Sequence, residues 1–107
     1  MAIPIRSFGT ERRFAPEKMQ KLNLFEMERF FCDVYCLEPG QAQKPHRHDA
    51  ADKVYAVLEG EVRIRVGAET ATVPAGAAVL APAGEDHGVE NPGPARAALL
   101  VFMAPHP

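Results

Sequence analysis

Between Leu22 and Met103 the chain runs in short apolar segments, four to nine residues long and rich in Val, Tyr, Phe, Ile and Leu, that glycines and prolines interrupt at short intervals. Within Val62–Val66 the apolar Val62, Ile64 and Val66 alternate with Arg63 and Arg65, the period of a strand with one face in water. The same reasoning predicts strands over residues 22–27, 30–37, 53–58, 61–66, 70–73, 77–80, 88–90 and 96–103. Glu59-Gly60 and Gly67-Ala68 fall where tight hairpin turns are needed. Many short strands, no long helix and no repeat period predict an all-β sandwich or barrel.

The last strand is apolar on both faces. One face is expected to line the barrel, and the other needs cover from the N-terminal arm or a second subunit, because an exposed apolar strand invites association. Residues 1–20 read as an extended arm packing on the barrel or on a partner, and residues 21–107 as the barrel domain. Pro16 to Lys21 has the composition of one helical turn, with Pro at its first position, although Asn23 and the residues after it favour strand.

The 107 residues suit one domain, and 47% hydrophobic with 24% charged residues is the make-up of an ordinary soluble globular protein. A formal charge of −2 with no Lys/Arg stripe offers no footprint for nucleic acid. The longest apolar stretch, Ala97 to Ala104, is far short of the roughly 18 residues of a membrane span. The first residues lack the apolar core of a secretory signal, so a cytoplasmic location is expected. Cys32 and Cys36, four apart on an extended chain, lie about 13 Å from each other, beyond the roughly 7 Å limit of a disulfide, and read as a reduced, core-facing pair.

The chemistry concentrates in histidine. His46 and His48 follow the Pro39-Gly40 turn as His-x-His, and residues i and i+2 of an extended chain point to the same side. His87 follows Pro82-Ala83-Gly84-Glu85-Asp86, and three imidazoles around one ion leave positions open for water or substrate. Glu85 and Asp86 stand where a carboxylate could orient His87 through its second nitrogen. His106, in the closing Pro-His-Pro, reads as a solvated tail residue. No GxGxxG, GxxxxGK[ST], GxSxG or HExxH occurs, which removes dinucleotide, phosphate-loop, hydrolase-elbow and zincin chemistry.

These histidines carry a resemblance to the cupins. The first cupin motif, G-x5-HxH-x(3,4)-E-x6-G, is matched by Gly40, His46, His48 and Gly60, with Lys53 at the glutamate position. The second, G-x5-PxG-x2-H-x3-N, is matched at every defined position by Gly76, Pro82, Gly84, His87 and Asn91. The resemblance implies a small jelly-roll barrel holding a metal inside its open end through the motif histidines and the glutamate. It also implies a turn-forming role for Asn91.

The departure at Lys53 leaves three arrangements open. His46, His48 and His87 hold one divalent transition metal (Fe, Zn, Mn or Ni) alone, as in cupins resembling three-histidine dioxygenases. The metal is lost, because an ammonium beside three imidazoles disfavours a cation. Or a one-residue bulge turns Asp52 inward as a fourth ligand. Alternation otherwise puts Lys53, Tyr55 and Val57 on one face and Asp52 on the other. Lys53 and Tyr55 are the candidate catalytic groups, Lys53 as a base or as the partner of a substrate anion. The expectation is a homodimeric small-molecule-binding barrel with oxygenase or isomerase-like chemistry, against the alternative of a non-catalytic or metal-free ligand-binding barrel.

Overall fold

The computed structural model describes residues 2–107. It consists of β1 (Gln20–Glu26), β2 (Phe31–Leu37), β3 (Ala42–His46), β4 (Asp52–Glu59), β5 (Glu61–Val66), β6 (Glu69–Pro74), β7 (Ala78–Ala81), β8 (His87–Glu90) and β9 (Ala97–Ala104), preceded by one helical turn, α1 (Phe8–Glu11). The strands form a five-stranded sheet in the order β1-β2-β9-β4-β7 and a four-stranded sheet in the order β3-β8-β5-β6, with every pairing antiparallel. This is the expected all-β jelly-roll architecture. All eight strands foreseen are present with ends shifted by at most two residues, and β3, which carries His46, is the addition.

Alternation decides what each face does. Along β4, Lys53, Tyr55 and Val57 are buried while Asp52 and Glu59 are exposed, and along β5 Val62 and Ile64 are buried between exposed arginines. The inward residues Tyr35, Leu37, Val57, Val62, Ile64, Val89, Leu99 and Val101 fill the space between the sheets. Removing this apolar area from water supplies the main driving force for closing the sheets together. Leu24, Val34 and Cys36 form a second cluster on the outer side of β1 and β2, covered by Phe14 of the arm. Cys32 joins that cluster, and both thiols are free.

Three local expectations give way to contacts made in the fold. Pro16 to Lys21 forms a bend and then the start of β1 rather than a helical turn, because Gln20 and Lys21 pair with Cys36 and Tyr35 across the sheet. The arm is not wholly extended: it turns once at α1, where the Arg6 guanidinium and the Ser7 N–H both bond the Glu11 carboxylate. At the other end His106 is not a solvated tail residue, since its ring meets Phe31 edge-on at 5.5 Å and its Nε2 lies 3.1 Å from Glu26.

Turn chemistry holds the frame. Gly60 has φ 76°, and a Cβ there would stand 2.4 Å from the Arg96 carbonyl oxygen, so no other residue closes this hairpin without moving the start of β9. Asn91 is buried, and its Nδ2 donates to the carbonyls of Leu37 at 3.0 Å and Ala95 at 2.8 Å while its Oδ1 accepts from the Gly93 N–H. It thereby ties the loop after β8 to the end of β2.

Candidate metal centre

The four-stranded sheet builds the histidine site from its backbone register. β3 and β8 pair antiparallel with His46 opposite His87, after an irregularity between Gln43 and His46 that brings the end of β3 into line. His48 lies two residues beyond, and its carbonyl accepts from the Gly84 N–H at 2.9 Å, which joins the His-x-His segment to the turn before His87. Arg47 and Asp86 brace the same junction at 3.0 Å. The ring centroids are 4.4 Å apart for His46 and His87, 5.1 Å for His46 and His48, and 5.6 Å for His48 and His87. One ligand atom from each lies within 4.8 Å of the others, a spacing compatible with one shared ion.

Each ring of the facing pair is oriented by main chain. His46 Nδ1 sits 3.0 Å from the Lys44 carbonyl and His87 Nδ1 3.2 Å from the Glu85 carbonyl, in both cases the carbonyl two residues earlier. A carbonyl only accepts, so Nδ1 carries the proton and Nε2 keeps its lone pair, the tautomer a metal requires. The Glu85 side chain therefore does not orient His87, and the Asp86 carboxylate is engaged with Arg47. His87 Nε2 is buried with no hydrogen-bond partner among the described residues. Burial first, then the charges of Lys53 and His46, lower the His87 pKa to about 4; burial likewise lowers that of His48. The His87 ring is thus neutral at pH 7, the form that binds metal.

Lys53 points inward, 1% exposed. Its Nζ lies over the Tyr35 ring at 5.2 Å and the Tyr55 ring at 5.0 Å and donates to Gln43 Oε1 at 3.3 Å. Burial, with Lys21 adding to it, lowers its pKa to about 7, against a smaller opposing pull from Asp33. Burial pushes the Tyr35 phenol up to about 12 and also raises that of Tyr55, so both stay protonated. The Tyr55 hydroxyl is buried and has no partner among the described residues, and its ring lies 6.2 Å from that of His87. Asp52 stands outside the histidine group: it is exposed, and its Oδ1 accepts from the Ala83 N–H at 2.8 Å. β4 keeps one register with β9 from Asp52, opposite Ala104, through Lys53, opposite Met103, and pairs with β7 from Lys53 on, so the slip that would turn Asp52 inward does not occur there.

Tyr35 and Gln43, which flank Lys53 from β2 and β3, carry no signal in the sequence that singles them out. Tyr35 alternates with Asp33 and Leu37, but the opposite face of the same strand, Cys32, Val34 and Cys36, is equally apolar, so nothing local says which face enters the barrel.

The cupin domain family model matches residues 33–103, and the chain belongs to that family. An uncharacterised protein of Streptomyces coelicolor is 39% identical over 74 residues, which is 67% of this chain and 68% of that protein. The crystal structure of TT1209 from Thermus thermophilus is similar with a TM-score of 0.95 and 50% identity, over 98% of this chain and 100% of that one. An RmlC-like cupin protein from Desulfovibrio desulfuricans gives a TM-score of 0.85 at 25% identity, over 97% and 98%.

Proposed function

We propose that the chain is a metal-binding cupin barrel in which His46, His48 and His87 hold one divalent transition metal and a small anionic or carbonyl-bearing molecule fills the positions they leave open. The observation that carries this reading is His87 Nε2, a buried lone pair without a partner that shares its surroundings with two further imidazoles. A buried acceptor left unbonded costs about 1–3 kcal/mol, and a metal is the partner its chemistry calls for. Such an ion supplies Lewis-acid polarisation or, as iron, a site for dioxygen, which supports oxygenase or isomerase-class activity. Lys53 contributes an amine whose pKa of about 7 suits proton transfer near neutrality, and Tyr55 a hydroxyl donor.

Lys53 also favours a second reading, a metal-free or non-catalytic ligand pocket, because its positive charge works against a cation nearby. Elemental analysis of protein purified without chelator separates the two. Metal near one per chain, lost in His46→Ala/His48→Ala, is the expected result; little metal in both proteins after reconstitution overturns the metal reading.

We also propose that the chain pairs with a second copy through the outer face of the five-stranded sheet. Val54 is paired with Phe102 on one side and Leu80 on the other, which lines up three apolar side chains across that face. Leu80 is 59% and Phe102 40% exposed, with Phe30 stacked on Phe102 at 5.3 Å. A two-fold contact lays such a strip against its own copy.

A further inference from the structure

Two donors inside the barrel have bonds left to make. Lys53 Nζ offers three hydrogens and spends one, at 3.3 Å, on Gln43. The Tyr55 hydroxyl, beneath it on the same face of β4, spends none. Aromatic rings flank the ammonium on two sides, and ring faces supply weak attraction but no acceptor oxygen. The one carboxylate within electrostatic reach on the five-stranded sheet, Asp33, already accepts from Asn23 Nδ2 at 2.8 Å and has Lys21 beside it.

Charge points the same way as the unmade bonds. The position where the cupin motif has an acidic side chain carries a basic one here, and Asp52 next to it faces out of the barrel. A divalent ion at the three imidazoles, with Lys53 facing the same interior, leaves that end of the barrel with more positive charge than Asp33 offsets, which is costly in a buried site. Among the described residues, the one carboxylate whose charge reaches Lys53 is Asp33, and it is shared with Asn23 and Lys21.

We infer that the bound molecule supplies it: the site takes a small carboxylate, whose charge stands in for the absent acidic side chain and whose oxygens accept from Lys53 Nζ and the Tyr55 hydroxyl. This rests on the metal reading above for part of its positive charge, and on Lys53 and Tyr55 for its bonds. Lys53 then sets specificity, selecting an anion over a neutral molecule of the same shape, because the neutral one leaves the ammonium unpaired.

The test is calorimetric titration of zinc-loaded protein with pyruvate and with pyruvamide, its neutral amide. Pyruvate is expected to bind at least about tenfold more tightly. Lys53→Met abolishes that preference and Tyr55→Phe reduces it about threefold, while each variant still takes up zinc one to one. If Lys53→Met fails to fold, Lys53→Gln, a donor without charge, serves in its place. Equal affinity for the two compounds, or a pyruvate preference unchanged in both variants, overturns the inference. Failure of the metal reading is visible separately: wild-type protein then takes up no zinc, and the same titrations on the metal-free chain decide the carboxylate, upheld by a preference that depends on Lys53 and overturned by its absence.

Discussion

The two faces of β4 invert the usual rule in opposite ways. Inward, where apolar residues belong, Lys53 and Tyr55 are buried with bonds unmade. Outward, where polar residues belong, Val54 lies in a row with Phe102 and Leu80 and leaves much of their surface in water. Further along the same strand both anomalies fade: Val57 is buried in the core, and Leu58 on the outer side is covered by the cluster under Phe14. A strand that follows the rule at one end and breaks it on both faces at the other is where the proposed ligand inside and the proposed second copy outside would complete the fold.

The outer anomaly is the easier to break. Light scattering is expected to give about twice the chain mass of 11.7 kDa for the wild type and the single mass for Leu80→Lys/Phe102→Lys, with metal content unchanged. A wild-type monomer refutes the pairing. The inner anomaly is read in stability. Lys53→Met is expected to stabilise the metal-free protein by about 2 kcal/mol at pH 7, by removing the cost of burying an ammonium. Because the folded pKa is lowered to about 7 from 10.5, the unfolded chain binds the extra proton between those values, so wild-type stability rises with pH there and the gain shrinks towards pH 10. Thermal melts at both pH values check the sign; a gain that grows with pH contradicts the burial account. Tyr55→Phe sharpens the same point with a smaller effect, a gain of about 1 kcal/mol from deleting an unbonded hydroxyl, and a loss of stability would mean that the hydroxyl has a partner.

Much of this was legible in the chain. Period-two patterning is local, so it located eight strands, and the inward direction of Lys53 and Tyr55 followed from alternation along β4. The histidines were legible because their motif spacing is strict. What escaped depends on register between segments far apart: that His46 stands opposite His87, that Tyr35 and Gln43 enclose Lys53, and that Asn91 reaches back to Leu37. Strand β3 was hidden because Lys44-Pro45 interrupts any apolar alternation, and its pairing with β8 supplies what local pattern did not. The helical turn read at Pro16 failed for the same reason, local propensity losing to pairing with β2.

The carbonyls of Lys44 and Glu85 that aim the two facing rings have a consequence for how this barrel diversifies. A side-chain carboxylate that orients a ligand is erased by a single codon change; a peptide carbonyl survives every substitution that leaves the local turn intact. The side chains of Lys44 and Glu85 are therefore free to vary without disturbing ring orientation, whereas Arg47 and Asp86, which brace the junction, are not. Saturation mutagenesis at positions 44 and 85 is expected to leave the imidazole tautomers unchanged, so descendants of one scaffold inherit the same nitrogen geometry while exploring new ligands.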